Sequence, residues 1–365
     1  SVWAFVKGLD LQPFYADLQV TSETAGRTAI APEVLIGLWL LATLDGIGAA
    51  RELARRCETD LPYLWMLGTV SVNYHTLSDF RVQHGARLER LLVDTVAAMV
   101  QGGLVPLETI AQDGMRVRAS AGSSSFRRQP TLENLRQAAA EHVDRLKQEA
   151  ESETARQAGD AGRQAAAERA ARERQERVDE ALRQHQRLSE QRERRKKGDG
   201  ATTRVSTTDP EARKMKMANG GYDPAYNVQF ATDADARVIV GVDVTNDGTD
   251  GGELPPMLDH IREDYDRAPS QALVDSAYAT QESVTTAENG GTKVVSTVPR
   301  AEQLERHGKD PHARQRRDTD EYVQFRARMA EPAFQTLYKT RPSIAEFPNA
   351  DCRNRNSRQF RVRGL

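Results

Sequence analysis

The 365-residue chain has only two cysteines and no apolar run long enough to cross a membrane. Cys57 and Cys352 lie far apart, and they match neither a disulfide framework nor the spacing of a zinc site. The longest apolar stretch, residues 34–44, falls short of the roughly 20 residues that a membrane-spanning helix needs, so it predicts a buried helix. No secretory signal is visible. We therefore expect a protein of the reducing cytoplasm that has no membrane partner.

The chain also lacks the basic excess that is typical of proteins that bind nucleic acid, because its formal net charge is −2. Any contact with DNA must therefore depend on local patches of positive charge. Two such patches are present, one in residues 192–197 and one with five arginines in residues 351–365. A solvated face or a tail explains each patch equally well, so charge alone does not identify a nucleic-acid site.

Residues 1–105 predict a helical domain. Apolar residues recur at helical spacing before Leu44 and again in residues 49–57, whereas residues 62–68 predict an aromatic-rich loop. Two short helices with a tight connection then outline a helix-turn-helix, a pattern that many small helical bundles share. Its candidate DNA-contacting residues are Asn73, His75 and Arg81.

Residues 128–200 have a different composition, dominated by Ala, Glu, Arg and Gln. Leucines and valines at three- and four-residue spacing predict an exposed helical hairpin or coiled coil, with its turn near Gly159 and Gly162. A mobile charged spacer is the alternative, since the middle third has almost no apolar seam. We expect no dedicated functional site in this charged helical insertion.

Residues 106–127 and 201–365 predict an α/β domain. An apolar strand carries Asp113, residues 226–244 form a strand hairpin, and a helix follows. A further strand leads to Asp275 and is followed by a helix, a strand at residues 293–298 and more helices. With the insertion set aside, this is the order of an RNase H-like fold, in which the strands of Asp113 and Asp275 lie side by side.

The two aspartates suggest a metal site. A carboxylate on an apolar strand costs several kcal/mol unless it is paired or binds a cation, and two or three carboxylates around Mg²⁺ or Mn²⁺ support phosphodiester chemistry. A single such aspartate is more often a turn former or a cap, so the hypothesis depends on the joint pattern. Glu346, with Arg353 on the same helix face, is the candidate third ligand. Its rivals are Glu321, Glu331 and Asp351.

Several segments together carry a family resemblance. They are residues 49–57, 72–81, 111–122, 125–128, 208–213, 224–229, 273–275, 345–350 and 361–365. These segments closely resemble bacterial insertion-sequence transposases of the DDE type, and the resemblance covers essentially the whole chain. It implies an RNase H-like catalytic domain, Mg²⁺-dependent cleavage and strand transfer, and the triad Asp113, Asp275 and Glu346.

The resemblance also implies partners and further site residues. The partners are double-stranded DNA, as terminal inverted repeats and as target, and further copies of the chain in a homodimer or higher homo-oligomer near the bacterial nucleoid. The arginines that we expect at DNA are Arg116, Arg118, Arg127, Arg128, Arg341 and Arg353. Such transposases often show a Tyr, Arg, Glu, Lys signature on the last catalytic helix. Here Glu346 lies one residue later than in that signature, and Arg353 replaces the lysine.

Two alternatives stay open at this point. The chain begins with Ser and stops at Leu365, where relatives usually continue, so we expect a chain that is incomplete at both ends. A catalytically inactive, transposase-derived DNA-binding or coiled-coil protein is one alternative. The other is an RNase H-like nuclease that hydrolyses DNA without joining the ends.

Overall fold

The computed structural model describes residues 1–16, 30–68, 70–151, 161–361 and 363–364. The structure is mixed α/β, and it divides into two compact units. Unit 1 consists of Ser1–Met115, Gln229–Asp243 and Thr249–Arg358, and unit 2 of Arg116–Val228, Val244–Gly248 and Gln359–Leu365. These units do not coincide with the three predicted segments, whose boundaries stay a prediction.

The N-terminal part of unit 1 is helical, as predicted. Its helices in the described ranges are α1 (Val2–Lys7), α2 (Gln12–Tyr15), α3 (Pro32–Leu44), α4 (Ala50–Thr59), α5 (Leu61–Leu67), α6 (Tyr74–Gln83) and α7 (Gly85–Gln101). Their apolar faces meet in one core, in which Leu38, Leu53 and Leu77 are fully buried. The apolar stretch at residues 34–44 is therefore a buried helix.

Helix α5 corrects the prediction of a loop at residues 62–68. Pro62 lies in the first turn of the helix, where its missing N–H costs no hydrogen bond. Tyr63, Met66 and Leu67 follow at helical spacing and are buried. Their packing stabilises a helix, although the proline and the aromatic residues had led to the prediction of a loop. The helix ends at Gly68, whose φ of 65° suits glycine.

The strands form a six-stranded and a two-stranded sheet within the described residues. In chain order they are β1 (Thr109–Arg118), β2 (Phe126–Arg127), β3 (Val205–Ser206), β4 (Arg213–Lys216), β5 (Tyr222–Asp233), β6 (Ile239–Thr245), β7 (Gln271–Leu273) and β8 (Lys293–Val295). The larger sheet has the order β4-β5-β1-β7-β8, with β6 paired to β5, and β2 pairs with β3. The predicted strands at residues 226–231, 238–244 and 293–298 correspond to β5, β6 and β8.

The centre of the larger sheet is parallel. Strand β1 pairs with β7 so that Thr109 lies opposite Gln271 and Ala111 opposite Leu273, and β7 pairs with β8 in the same sense. Ile110 and Leu273 are fully buried, as expected for parallel strands with both faces covered. The adjacency of the two strands that lead to Asp113 and Asp275 is therefore confirmed.

Helices of unit 1 complete the core around these strands. They are α10 (Leu254–Tyr265), α11 (Gln281–Asn289), α12 (Ala301–Arg306), α13 (Asp320–Met329), α14 (Pro332–Tyr338) and α15 (Arg341–Asn354). Helix α10 is the helix predicted after the strand hairpin, and α12 to α15 are helices predicted after the strand at residues 293–298. Fully or almost fully buried side chains of this core include Leu254, Tyr278, Phe325 and Ile344.

Helix α15 contains an internal proline, since Pro348 lies inside the helix and not in its first turn. The proline of the first turn is Pro342, because α15 begins at Arg341. Pro348 cannot donate the helical hydrogen bond to the carbonyl of Ile344, which normally destabilises a helix interior. Pro348 and Ile344 are both buried, so packing against the core offsets this loss.

In unit 2 the charged insertion is helical in its described residues. Helix α8 (Gln129–Glu151) packs against α9 (Ala161–Arg195). Leu132 and Ala181 are fully buried between them, and Arg136 Nε lies 3.0 Å from Asp179 Oδ1. Of the two glycines expected at the turn, Gly162 lies in the first turn of α9, and Gly159 lies outside the described residues.

The buried ion pair of Arg328 with Glu288 gives a test of the core of unit 1. Both side chains are about one-tenth exposed, and Glu288 also accepts the Val294 N–H at 3.1 Å. We expect Glu288→Ala to lower the free energy of unfolding by about 3–5 kcal/mol, because it leaves the guanidinium buried without its counter-ion. Urea unfolding followed by circular dichroism measures this change.

Glu302→Ala is the matched control for that measurement. It removes an ion pair with Arg306 in which both side chains are largely exposed, so we expect a change within about 0.5 kcal/mol. An equal decrease in the free energy of unfolding in the two variants would contradict a structural role of the buried ion pair.

Candidate active site

The parallel pairing brings the two predicted aspartates to the same end of adjacent strands. The pairing of β1 with β7 ends where Ala111 lies opposite Leu273. Asp113 lies two residues further along β1, and Asp275 follows the end of β7 by two residues. The negative charge of Asp275 also contributes to raising the pKa of Asp113. The two carboxylates therefore lie near each other at this end of the sheet.

Helix α15 holds both oxygens of Asp113. Arg341 Nη2 donates to Asp113 Oδ1 at 3.0 Å, and Asn349 Nδ2 donates to Asp113 Oδ2 at 3.0 Å. Eight residues separate the two donors, slightly more than two helical turns, so they lie on the same side of the helix. Arg341 was predicted at DNA, and the structure gives it a carboxylate partner. Asn349 was not predicted at all.

The pKa of Asp113 is raised above its ordinary value. Burial is the main cause, and repulsion from the carboxylates of Asp275 and Asp250 adds to it. The positive charge of Arg341 and the Gly114 N–H act in the opposite direction but do not outweigh burial. A carboxylate whose charge is costly in this way is well suited to gain from a bound cation.

A network of buried polar groups lies at the same site and was missed in the sequence. Gln112 and Gln229 are fully buried, and Gln112 Nε2 donates to Gln229 Oε1 at 3.2 Å. The Tyr278 hydroxyl donates to the same oxygen at 2.5 Å, and Gln229 Nε2 donates to Asp250 Oδ1 at 3.0 Å. Asp250 lies between several glycines in a loop, where aspartate is common. Its sequence context therefore did not identify it as a residue of the site.

Glu346, the predicted third ligand, lies on α15 with an exposed side chain. It precedes Asn349 by three residues, and residues at this spacing are neighbours on a helix surface. The α15 side chains that contact Asp113 are nevertheless Arg341 and Asn349. Among the rivals, Asp351 is paired with Arg355 at 2.8 Å. Glu346 therefore stays a prediction for the third position.

The donors at this site fit a divalent cation of the magnesium type. Among the residues that the structure describes, no three His, Cys, Asp or Glu side chains form a group that could hold a metal ion. Asp113 is turned towards Arg341 and Asn349, and Asp275 Oδ1 accepts the Ala277 N–H at 2.7 Å. The available oxygens are nonetheless the donors that Mg²⁺ and Mn²⁺ prefer. The buried Asn349 Oδ1 has no hydrogen-bond partner within the described ranges, which also fits a cation.

The residues predicted at DNA in the N-terminal helices have different surroundings. Asn73 caps α6, since its Oδ1 accepts the Thr76 N–H at 2.8 Å. The Arg81 guanidinium lies 4.3 Å from the Trp39 ring centre and donates to the Gly48 carbonyl at 3.0 Å, and burial lowers its pKa. Both side chains therefore have structural contacts, whereas His75 is exposed.

The arginines after Asp113 have protein partners in unit 2. Arg116 donates to Asn227 Oδ1 and, at 3.2 Å, to the Gly248 carbonyl, and Arg118 Nε lies 3.3 Å from Asp223 Oδ2. Arg127 donates to the carbonyls of Ser124 and Phe126. Arg128 is exposed in unit 2, and Arg353 is exposed in unit 1. Exposure makes these last two the better candidates for phosphate contacts.

Comparison with known families agrees with this architecture. Residues 2–83 match the family described as "Transposase domain (DUF772)", and residues 198–363 match the family described as "Transposase DDE domain". The chain is thus a transposase whose second matched region is of the DDE class. It belongs to the insertion-sequence DDE transposases, and this family acts on DNA. No curated protein and no solved structure matches the chain. In the described ranges, no helix is long and apolar enough to span a membrane.

The raised pKa of Asp113 predicts a pH-dependent effect of Asp113→Asn. The folded chain favours the protonated carboxyl, so wild type loses stability as the pH rises from the unfolded value of 3.8 through the folded pKa. Asparagine mimics the protonated form at every pH. In the presence of EDTA, the melting temperature of the variant relative to wild type should therefore rise as the pH is raised above about 3.8. A difference that shrinks over this range would contradict the shift.

Proposed function

We propose that this chain cleaves and joins the ends of an insertion sequence at a site formed by Asp113, Asp275 and Glu346, with Mg²⁺ or Mn²⁺ as the cofactor. The observation that supports the proposal is the parallel pairing of β1 with β7, since Asp113 lies on β1 and Asp275 follows the end of β7 by two residues. Helix α15, which bears Glu346, supplies both side-chain donors to Asp113. The RNase H-like arrangement of the catalytic domain is part of this proposal.

The residues of the chain have distinct roles in such a reaction. Divalent cations bound by the carboxylates would activate the attacking water or 3′-hydroxyl and stabilise the leaving oxygen. Asp113 on β1 and Asp275 just after β7 would provide oxygen ligands, and Asn349 orients Asp113 through its 3.0 Å hydrogen bond. Arg341 places a positive charge beside the acids, which reduces their repulsion of a DNA phosphate.

DNA is the proposed partner of both matched regions. The N-terminal helices would bind the terminal inverted repeats, with His75 as an exposed residue of the predicted set. Arg128 and Arg353 would contact phosphates, since an exposed guanidinium can pair bidentately with them. Two element ends need two active sites, so we propose that the chain works as a homodimer or a higher homo-oligomer, at the nucleoid of a bacterial cytoplasm.

A cleavage and strand-transfer assay tests the carboxylates. With a labelled element end and Mg²⁺, wild type should nick the DNA and join it to a target. Asp113→Asn, Asp275→Asn and Glu346→Gln should each reduce nicking by at least about 100-fold, because even groups that only support metal ligands often contribute 10- to 100-fold. Gel analysis of the 3′-end products measures both steps.

Glu331→Gln and Glu321→Gln are matched controls, since both residues are rivals for the third position. Loss of nicking in one of them, with normal nicking by Glu346→Gln, would reassign the third ligand. Nicking by wild type without any joined product would favour the RNase H-like nuclease. End-specific binding without metal-dependent nicking would favour the inactive DNA-binding protein.

The salt dependence of DNA binding tests the exposed arginines. Each phosphate contact contributes about 0.9 to the slope of log K against log salt concentration. We therefore expect Arg128→Ala and Arg353→Ala each to reduce this slope by about 0.9 and to weaken binding to all sequences alike. Arg306→Ala, which removes an exposed arginine paired with Glu302, is the control. Unchanged slopes in both test variants would exclude them from the DNA interface.

A further inference from the structure

The helical hairpin of unit 2 has a basic end, to which the reaction described above gives no role. Residues 192–197 comprise the last turn of α9 and the two residues after it. They include one acid, Glu193, and five cationic residues, which are Arg192, Arg194, Arg195, Lys196 and Lys197. All five cationic residues are exposed. A solvated face explains this composition as well as a binding surface does, so the contacts of the charges must decide.

The charges along the preceding part of α9 are paired with each other. Arg172 Nη2 lies 3.5 Å from Glu168 Oε2, and Arg177 Nη1 lies 3.8 Å from Glu173 Oε2. Each pair spans four residues, the spacing at which opposite charges are neighbours on a helix surface. This part of the helix therefore has the balanced charge that is typical of a solvated face.

The acids near the basic end are bound to neutral donors instead. Both carboxylate oxygens of Glu193 accept the Gly198 N–H at 2.9 Å, and Gln186 Nε2 donates to Glu190 Oε1 at 3.1 Å. In the part of the chain that the structure describes, residues 194–197 have no carboxylate at ion-pair distance. Their positive charges are therefore available to an anion from outside the chain.

The loop that follows this end is held against the helix. Gly200 is buried, and a Cβ atom in its place would lie 2.8 Å from the Ser189 carbonyl oxygen. Arg192 Nη1 donates to Thr202 Oγ1 at 3.2 Å. These contacts fix the backbone on which the exposed cations stand. Binding by such a surface loses less conformational freedom than binding by a mobile tail.

Two further exposed arginines lie close to this end. Arg127 on β2 pairs with Val205 on β3 in antiparallel sense, so Arg128 and Arg204, the next residue of each segment, lie at the same end of the pair. Val205 belongs to a buried cluster against which Leu188 of α9 packs. Arg128 and Arg204 are both exposed. Like charges that gather in this way repel each other unless an anion compensates them.

We propose that Arg128, Arg204 and residues 192–197 form a phosphate-binding surface for duplex DNA within unit 2. This inference rests on the proposed function, since that function supplies DNA as the ligand. A duplex presents a regular row of phosphates, and arginine forks pair bidentately with them. Contacts of this kind hold the backbone and do not read bases. The helical insertion, for which the sequence predicted no dedicated site, thus becomes part of the DNA-binding surface.

The salt dependence of binding by the full chain tests this surface, with a labelled duplex of unrelated sequence and EDTA. The double variant Arg194→Gln with Arg195→Gln should reduce the slope of log K against log salt concentration by about 1.8, because each lost phosphate contact removes about 0.9. Arg204→Gln should reduce the slope by about 0.9. Glutamine forms helices nearly as well as arginine, so α9 should persist.

The matched control is the double variant Arg172→Gln with Arg177→Gln. It removes the same charge from the same helix, but at residues that have acid partners. We expect its slope to equal that of wild type. A reduction equal to that of the test variants would contradict the inference, because net charge alone would then explain the effect.

The outcomes separate the inference from the proposed function. Wild-type slopes in both test variants, with DNA binding by wild type, would overturn the surface and leave the proposed function intact. A lower melting temperature with those wild-type slopes would assign the arginines to the C-terminal dipole of α9 alone. No binding of duplex DNA by wild type would overturn both.

Two further measurements keep the inference testable. Tighter binding of double-stranded RNA than of DNA, lost in the same variants, would contradict the choice of ligand. Should the double arginine variant fail to fold, Lys196→Gln with Lys197→Gln decides, since both lysines follow the last residue of α9. An unchanged slope in that variant would overturn the inference, and a reduced slope would support it.

Discussion

The backbone pairing of β1 with β7 is the interaction on which the candidate site depends. Its hydrogen bonds align Ala111 with Leu273, and this alignment makes neighbours of two carboxylates that repel each other. A slip of one residue would turn one of them to the opposite face of the sheet. Burial of Ile110 and Leu273 in the core prevents such a slip. Hydrophobic packing thus enforces an electrostatically unfavourable arrangement, as is common at functional sites.

Helix α15 partly offsets the electrostatic cost of placing the two carboxylates close together. Arg341 supplies a positive charge and Asn349 a neutral donor, one to each oxygen of Asp113. The pKa of Asp113 is raised all the same, so the compensation within the chain is incomplete. The buried oxygen of Asn349 is also left without a donor in the described residues. Additional positive charge near Asp113 would therefore favour its ionised form.

The sequence predicted those features that depend on local pattern or on family resemblance. Helix α10 and the strands around Asp113 and Asp275 follow from apolar periodicity and turn residues. Helix α5 was missed because packing, rather than propensity, decides its conformation. Arg341 and Asp113 are 228 residues apart in the sequence. No local sequence pattern predicts a contact between residues that far apart. Asp250 was missed for the same reason, because only the folded chain brings it to Gln229.

The sites of the chain also differ in when they are completed during synthesis. The core of the N-terminal helices is built from one continuous stretch, which includes Leu38 and Leu77. It can fold while the ribosome is still making the rest, as N-terminal regions generally do. The carboxylate site needs strand β7 and then α15, near the end of the sequence. A nascent chain can therefore form its N-terminal helical core early, whereas the contacts of Asp113 with Arg341 and Asn349 cannot form until α15 has been made.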